Sequence, residues 1–385
     1  MCYRKIVNSI ILYINRKLVR LRQNIIFILP YFTKTKLKED INKAGLIGCG
    51  HIIKNLYIYA LNNRNINIAC KSLLSTKYRD SFFIKRNLSY QSDCYDNFEL
   101  FSNSGINSII ITTPNYSHYE YIVKGIKNKF NILCEKPLTN NIKEALHIKE
   151  LLKGYPVTLM VGFQIRYSPI FNNLKLLLKH KELGEIQKIY VYHFANIKDH
   201  IDNSTWLNDI KKSGGGVLFN VGIHSINLLC ALLGDVATLS SRLENLILPI
   251  SYGEDTAFCK LNFQREILCL LKVSYLNNAN TNKQFSMNIY CEKGFINCDF
   301  HNNYIFKKDN SKKSGKYIFF DKLEHEFVYN ELNRFVYYID NKIKPETDIN
   351  DSIKTLAIIN QLYQYGNGEK QVRISDGQND VDHLP

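Results

Sequence analysis

Residues 44–53 read A-G-L-I-G-C-G-H-I-I, and the architecture follows from them. Ala44–Gly48 is a short apolar run that predicts a strand, and the residues after Gly50 predict the first turn of a helix. Gly48 permits a tight turn, and Gly50 lets backbone N–H groups approach a pyrophosphate at the positive end of that helix. Ile53 occupies the third fingerprint position, usually Gly or Ala, and weakens the motif. We predict a dinucleotide site formed by Gly48, Cys49, Gly50, His51 and Ile52.

The alternation of apolar runs and helical stretches continues through the first half of the chain. It predicts strands over 44–48, 65–71, 106–113, 131–135 and 157–163, and helices over 51–62, 75–86, 116–128 and 140–153. Continuous apolar strands separated by helices indicate a parallel sheet that is covered on both faces. The fold class is therefore α/β, and residues 44–164 are predicted to form a Rossmann dinucleotide-binding domain.

The second half has a different pattern. Helices are predicted over 168–181, 324–341 and 350–363, the last two returning to the first domain, and alternating strands over 187–194, 257–263, 267–276, 285–291 and 294–300. We therefore predict an α+β domain over 165–374, with a large open and mostly antiparallel sheet. One face of this sheet is free for a partner subunit, which predicts a homodimer or homotetramer. Residues 375–385 form a polar tail.

The charge of the chain is concentrated in a basic extension, residues 1–43. The net charge is +15, and nine of those charges lie in residues 1–38, where no acidic residue occurs. Apolar residues at helical spacing leave two interpretations open for residues 1–22: weak contact with an anionic membrane surface, or an extra helix packed on the body or on a partner. No zinc, helix-turn-helix or RNA-binding signature accompanies the charge, so no nucleic-acid partner is predicted.

The ten cysteines are scattered through apolar runs without a C-x-x-C pair. This pattern argues against a disulfide framework and against a metal site. It favours buried thiols in a reducing compartment, and we predict a cytoplasmic protein.

The end of the second predicted strand bears on the choice of cofactor. An Asp or Glu there usually holds the adenosine ribose of NAD, but the strand is read as ending Cys70-Lys71-Ser72, and residues 51–79 contain no acid. Lys71, with Ser72 and Lys77 or Arg79 nearby, suits a 2′-phosphate, which slightly favours NADP over NAD. The alternative is that Lys71 is a solvated surface residue and the backbone holds the ribose.

Four further segments carry polar residues in a fixed order. They are T-T-P-N-Y-S-H at 112–118, C-E-K-P at 134–137, G-F-Q-I-R-Y-S-P at 162–169 and G-G-G-V-L-F-N-V-G-I-H at 214–224. The first three follow successive parallel strands, where open α/β sheets bind ligands.

Together with the glycine turn, these segments resemble the Gfo/Idh/MocA family, named for glucose–fructose oxidoreductase and inositol dehydrogenase. The resemblance covers residues from about 44 to 374. It implies a Rossmann domain followed by an α+β domain whose open sheet carries substrate contacts and often dimer contacts. It also implies hydride transfer between NAD(P) and a carbinol of a sugar, cyclitol or nucleotide sugar.

The resemblance implies roles for individual residues. Lys136 would polarise the carbinol oxygen beside the nicotinamide, with Glu135 holding its ammonium, and His224 would act as general base because imidazole titrates near neutral pH. For His118 a capping or packing role on the next helix is equally open. The implied cofactor contacts are Thr113, Pro114, Asn115, His118, Glu135 and Lys136, and the implied substrate contacts are Lys136, Arg166, Asn220 and His224.

Asn220 departs from the family pattern, because many members carry Asp four residues before the histidine. An amide can hydrogen-bond but supplies no charge, so we predict a catalytic set of Lys136, His224 and Asn220 with a weaker base. The Asn–His pairing resembles the branch that acts on UDP-linked N-acetylhexosamine uronates, which points to nucleotide sugars and surface polysaccharide biosynthesis. Ile53, the missing acid and Asn220 also motivate an alternative, a binding or scaffold protein with a degenerate Rossmann pocket.

Overall fold

The computed structural model describes residues 42–63, 66–195, 206–246, 248–249, 252–264, 266–275, 284–320, 324–365 and 372–373. The basic extension, apart from residues 42 and 43, and the polar tail lie outside the described residues. The membrane-surface prediction for residues 1–22 lies outside them as well.

The first domain is built on a six-stranded sheet in which every pairing is parallel. Its strands are β1 (Asn42–Ile47), β2 (Ile68–Leu74), β3 (Asp93–Tyr95), β4 (Ser108–Ile111), β5 (Asn131–Glu135) and β6 (Leu159–Gly162). The spatial order β3-β2-β1-β4-β5-β6 is that of the Rossmann fold, so the predicted fold of this domain is confirmed. All four residues of β4 are buried, which explains the unbroken apolar run in its sequence.

The helices of this domain connect successive strands. They are α1 (Ile58–Leu61), α2 (Tyr78–Asn87), α3 (Phe98–Ser102), α4 (His118–Lys127) and α5 (Ile142–Leu152). The helix predicted over 51–62 is present, but it opens into a π-helical turn at Ile53–Tyr57 before α1. The side chain of Ile53 is fully buried in this turn, where it packs with Ala44 and Leu46 of β1.

The second domain is built on a nine-stranded open sheet. Its strands are β7 (Ile186–Phe194), β8 (Val236–Glu244), β9 (Thr256–Phe263), β10 (Leu268–Ser274), β11 (Gln284–Cys291), β12 (Gly294–Asp299), β13 (Tyr304–Asp309), β14 (Lys316–Phe319) and β15 (Val372–Arg373), in the order β14-β13-β12-β11-β7-β10-β9-β8-β15. Only β7 and β10 pair in parallel, which confirms the predicted mostly antiparallel sheet.

The remaining helices join the two domains. They are α6 (Pro169–His180), α7 (Ile210–Ser213), α8 (Ile223–Leu233), α9 (Glu324–Asn341) and α10 (Ile349–Gln364), with a second π-helical turn at Leu218–Gly222. Val328 and Phe335 of α9 share a buried core with Tyr57, so this helix returns to the first domain as predicted. The stretch Ile210–Leu233 is long and apolar enough to cross a membrane, but 72% of its apolar window is buried inside the protein, as in a core helix.

Candidate functional site

The turn after β1 requires glycine at position 48. Gly48 has a φ of +91°, and a Cβ atom there would lie 2.8 Å from the backbone nitrogen of Thr113. The Gly48 N–H donates to the Leu74 carbonyl oxygen at 2.9 Å, and the Gly48 carbonyl oxygen accepts the Thr112 hydroxyl at 2.8 Å. The turn is thus fixed between the ends of β2 and β4.

Gly50 lies beyond this turn and faces open space. No atom lies within 4 Å of the place where its Cβ would be, so the backbone before the π-helical turn can be approached closely. The thiol of Cys49 points inward, and burial raises its pKa to about 12. The residues here offer backbone N–H groups at a helix start, which fits the pyrophosphate of a dinucleotide.

The prediction that the second strand ends at Lys71 and Ser72 is wrong. β2 continues to Leu74, which is level with the glycine turn, so both residues lie before the carboxyl edge of the sheet. The Ser72 hydroxyl is buried and donates to Ser104 Oγ at 2.7 Å, and Lys71 Nζ lies beside Gly105. Their assignment to the cofactor therefore loses its basis. The residues that follow the strand are Ser75, Thr76 and Lys77.

The turn after β4 is tied to both domains. The Asn115 side-chain amide donates to the Ser213 carbonyl oxygen at 2.8 Å. His118 is fully buried, with Nδ1 2.8 Å from the Pro137 carbonyl oxygen and Nε2 2.9 Å from that of Thr113. Both ring nitrogens lie within hydrogen-bond distance of backbone carbonyl oxygens, so His118 braces two turns, and its contact with a cofactor stays a prediction. Its packing role is the one that the structure supports, and burial lowers its pKa.

The segment after β5 brings Lys136 across the domain boundary. Lys136 Nζ donates to the carbonyl oxygen of Asn220 at 2.8 Å. Burial lowers the pKa of this lysine, and the neighbouring Glu135 carboxylate opposes that shift. Lys136–Pro137 is a cis peptide bond. The ammonium is therefore held at the junction of the two domains.

A buried carboxyl group organises the glycine-rich segment. Glu254 accepts the N–H groups of Gly216 and Leu218 at 3.2 and 2.8 Å, and it accepts the Tyr363 hydroxyl at 2.8 Å. A Cβ on Gly216 would lie 2.1 Å from the Glu254 carbonyl oxygen, so glycine is required for this close approach. The segment forms a compact loop immediately before the second π-helical turn.

The Asn220 side chain binds its own loop. Its amide donates to the carbonyl oxygens of Gly215 and Gly216, at 2.9 and 3.0 Å, and so closes the glycine loop. Asn220 lies in the second π-helical turn, four residues before His224, and its place in the catalytic set stays a prediction. The contribution of Asn220 to Lys136 is its backbone carbonyl oxygen.

His224 lies at the start of α8, with about 9% of its surface exposed. The Phe163 ring meets it edge-on at 6.2 Å between centroids. Within the described ranges no protein group hydrogen-bonds to its ring nitrogens. Burial and the charges of Lys136 and His193 lower its pKa well below the ordinary value, so the imidazole is neutral at pH 7.

His193 is a site residue that the sequence did not reveal. It lies on β7 with its ring centroid 6.4 Å from that of His224, stacked on Phe285 at 4.0 Å, and its Nδ1 is 3.0 Å from the Ser225 hydroxyl. Burial and the Lys136 charge lower its pKa to about 3. The signal available in the sequence was a histidine within an alternating strand, which is too weak to single out.

Arg166 is engaged with two other elements of the fold. Its side chain is 7% exposed, and Nη1 donates to Asn227 Oδ1 at 3.1 Å and to Asp351 Oδ1 at 3.3 Å. Asn227 in turn donates to Asp351 Oδ2 at 2.6 Å. The guanidinium therefore links the segment after β6 to α8 and α10, and its contact with a substrate stays a prediction.

The structure brings together the two residues on which the predicted chemistry depends. Lys136 contacts Asn220, His224 follows one helical turn later, and the lysine charge acts on both histidines. A cation that can polarise an oxygen and a neutral imidazole that can accept a proton thus converge from different domains. The fold and this pair define a Rossmann dinucleotide-binding protein with an α+β sheet domain.

Two family models match the chain. Residues 42–163 match the model described as "Oxidoreductase family, NAD-binding Rossmann fold", and residues 171–297 match the "GFO/IDH/MocA C-terminal domain". Together they cover well over half of the sequence. The chain belongs to the Gfo/Idh/MocA oxidoreductase family.

The chain is also similar to curated proteins. It is 27% identical over 204 residues to glucose-6-phosphate 3-dehydrogenase of Bacillus subtilis, covering 52% of this chain and 57% of the relative. It is 29% identical over 185 residues to scyllo-inositol 2-dehydrogenase (NAD(+)) of the same organism, covering 47% of this chain and 52% of the relative. The alignments thus span little more than half the length of these relatives.

Solved structures share the fold. A levoglucosan dehydrogenase in complex with NADH and levoglucosan matches with a TM-score of 0.79 and 16% identity, covering 87% of this chain and all of that chain. An oxidoreductase from Agrobacterium radiobacter in complex with NAD+, L-tartaric acid and magnesium matches with a TM-score of 0.75 and 19% identity, covering 86% of this chain and 98% of that chain. At these identities the likeness concerns the fold alone.

Proposed function

We propose that this protein is an NAD(P)-dependent dehydrogenase that transfers hydride between the nicotinamide and a carbinol or carbonyl carbon of a sugar or nucleotide sugar. The observation that carries the proposal is that Lys136 of the first domain reaches Asn220, one helical turn before His224, in a chain whose first strand ends in an open glycine turn. The named curated relatives act on a sugar phosphate and on a cyclitol, which supports the substrate class.

The residues divide the chemistry between them. A bound nicotinamide supplies the hydride acceptor. Lys136 binds the carbinol oxygen and stabilises the negative charge that develops there. Its ammonium already donates a hydrogen bond to another oxygen, the carbonyl oxygen of Asn220. His224 accepts the hydroxyl proton, which it can do because its lowered pKa leaves it neutral.

The finer substrate assignment rests on residue type. Asn220 in the position usually held by Asp, together with His224, supports a UDP-linked sugar and a place in surface polysaccharide biosynthesis. The buried cysteine thiols, none of which is in a disulfide within the described residues, support a cytoplasmic location.

The proposed preference between NAD and NADP depends on the residues after β2. Lys77 and Arg79 are exposed beyond the end of that strand, where a cation suits the 2′-phosphate of NADP. They take over the role first given to Lys71, and the proposal keeps its slight preference for NADP. The scyllo-inositol relative is named for NAD+, so both cofactors belong in the assay.

The proposed function is tested by spectrophotometry. Purified protein is incubated with NAD+ or NADP+ and a panel of UDP-hexosamines, UDP-hexosamine uronates, sugar phosphates and free cyclitols. We expect absorbance at the reduced-nicotinamide band to rise with at least one of them. Tight dinucleotide binding without turnover of any substrate would instead favour the scaffold alternative, and failure to bind either dinucleotide would contradict both.

The two turn glycines are expected to respond differently to alanine. Gly48→Ala places a side chain at positive φ against Thr113, which should lower the free energy of unfolding by about 1–3 kcal/mol. Gly50→Ala meets no protein atom, so the protein stays stable, but the methyl group occupies the space of the pyrophosphate and should weaken dinucleotide binding about tenfold or more. Thermal unfolding and calorimetric titration separate the two effects. Unchanged dinucleotide affinity in Gly50→Ala would contradict the assignment of the pyrophosphate to this turn.

The outer face of the second sheet supports the predicted homo-oligomer. It contains an open groove of about 740 Å³ lined by residues that include Tyr190, Phe258 and Leu270. Exposed aromatic groups on a sheet face are typical of subunit contacts. We expect native mass spectrometry to give two or four times the chain mass and Phe258→Asp to shift the protein to monomers. Phe82→Asp, at an exposed phenylalanine on α2 of the first domain, should leave the assembly intact. A monomeric wild-type protein would contradict this.

A further inference from the structure

Two buried carboxyl groups meet at one tyrosine hydroxyl behind Lys136. The Tyr57 hydroxyl lies 2.9 Å from Glu135 Oε1 and 3.3 Å from Glu331 Oε2. Tyr57 and Glu331 are completely shielded from solvent, and Glu135 is 5% exposed. The three residues come from the π-helical turn before α1, from the end of β5 and from α9. The roles assigned above use neither Tyr57 nor Glu331.

The number of protons available for hydrogen bonds limits how many of the two carboxyl groups can be ionised. Two ionised carboxylates at this distance would repel each other in a site without water, and one hydroxyl has only one proton to donate. Both short contacts are hydrogen bonds when Glu331 is protonated and donates to the Tyr57 oxygen, while Tyr57 donates to an ionised Glu135. The shorter distance is the one to Glu135, as expected of a charged acceptor.

The surroundings of the two carboxyl groups agree with this assignment. Glu135 adjoins Lys136, whose backbone N–H lies 3.3 Å from Glu135 Oε2. Within the described residues no cation pairs with Glu331, and its Oε1 has no hydrogen-bond partner, which a neutral acid tolerates far better than a carboxylate. Burial and the charge of Glu135 raise the pKa of Glu331 well above its usual value.

Glycine at the end of β6 leaves room for the Glu135 carboxylate. A Cβ on Gly162 would lie 3.2 Å from Glu135 Oε2, so any larger residue there would press on the carboxylate. The Lys136 backbone N–H lies against Oε2 and the Tyr57 hydroxyl against Oε1. Each oxygen of Glu135 therefore has its own hydrogen-bond donor, one of them on the lysine.

We propose that Glu331 and Tyr57 form a one-way hydrogen-bond chain to Glu135, and that this chain positions Lys136 for catalysis. The proposal rests on the proposed function, because the role of Lys136 is taken from it. Tyr57 and Glu331 are positioning residues that act through Glu135 and do not touch the substrate. Helix α9, which returns from the second domain, thereby contributes to the alignment of a lysine on the first.

Steady-state kinetics of four variants tests the chain. We expect Tyr57→Phe to lower kcat about tenfold, with the KM for the dinucleotide unchanged, because Glu135 loses its buried donor. Glu331→Gln retains an N–H donor toward Tyr57 and should keep most of the activity, whereas Glu331→Leu should fall like Tyr57→Phe. Tyr167→Phe is the matched control, since this buried tyrosine shares the same core but bonds to Thr347 Oγ1 at 2.9 Å.

Infrared difference spectroscopy tests the protonation of Glu331 without any turnover. At neutral pH the wild-type protein should show the carbonyl stretch of a buried carboxylic acid, and Glu331→Gln should lack it. The proposal is overturned if that band is absent from the wild type, if Glu331→Gln is as inactive as Glu331→Leu, or if Tyr57→Phe and Tyr167→Phe lose equal activity. A wild type that oxidises no substrate refutes the proposed function, and the infrared band still decides the state of Glu331.

Discussion

Replacing His224 with alanine is expected to lower the turnover of an alcohol substrate by about 10²–10⁴-fold, the contribution typical of a general base. The imidazole is neutral and feels the Lys136 charge, and in the proposed function it accepts the proton, whereas the pyrophosphate of the dinucleotide is assigned to the glycine turn after β1. Dinucleotide affinity should therefore be unchanged. The measurement is kcat, with the dissociation constant of the cofactor determined separately.

The pH profile of the wild type provides a second reading of the same residue. A general base works only when it is unprotonated, so activity falls as pH drops through its pKa. Because the pKa of His224 lies well below the ordinary value, the rate should decline only below the pH at which free imidazole titrates. His147→Ala, an exposed histidine on α5, is the control and should change nothing. Full activity in His224→Ala would remove its assigned role.

Replacing Lys136 with methionine is the other large expected loss, about 10²–10³-fold in kcat, because a preorganised donor to the developing alkoxide is removed. Methionine keeps much of the buried length of the side chain, which limits structural damage. The substitution should also move the acid limb of the rate profile to higher pH. The Lys136 charge lowers the pKa of His224, so its loss lets the imidazole protonate more readily.

Lys71→Met provides the matched control for the lysine. Lys71 lies on β2 beside Gly105, away from the junction, and its loss should leave both kcat and the KM for NADP+ unaltered. A large rise in that KM would restore Lys71 to the cofactor site. Lys136→Met with undiminished turnover, or with an acid limb that does not move, would show that the ammonium is not beside the reacting oxygen.

The architecture could be predicted because its central strands are buried on both faces. β4 and β5 consist mostly of apolar residues, which is typical of buried strands, and the helix predicted between them was confirmed. The strands that were missed have weaker patterns. β13 ends in Lys307, Lys308 and Asp309 near one edge of the second sheet, and all of β14 is exposed. The alternation of apolar and polar residues that marks a half-buried strand is therefore weak in both.

The site was predicted in part, for a related reason. Residue type and strand-end position drew attention to Lys136, because turns at the carboxyl edge of a parallel sheet meet in space. His224 was singled out by the resemblance of the glycine segment to the family. The direction of a polar side chain cannot be inferred in this way. Arg166 turns inward to Asp351, His118 to two carbonyl oxygens, and Asn220 to its own loop. The partners of Arg166 are distant in sequence and those of Asn220 are local, and no pattern in the sequence shows which kind of partner a side chain will take.

The two π-helical turns were not predicted. A turn with one additional residue leaves almost no trace in hydrophobic spacing. Ile53 is buried in the first of them within the same core as β1, and Tyr57 reaches Glu135 from it. Asn220 lies in the second.

The bond from Lys136 to the Asn220 carbonyl has a consequence for how the two halves of the molecule cooperate. The acceptor is a backbone oxygen, so no single side-chain substitution in the second domain removes it, and the place of the ammonium depends on how the two domains pack. In the proposed dehydrogenase an alcohol oxygen would share the ammonium with this one carbonyl oxygen. Substitutions in the loops around the junction would leave that constraint in place.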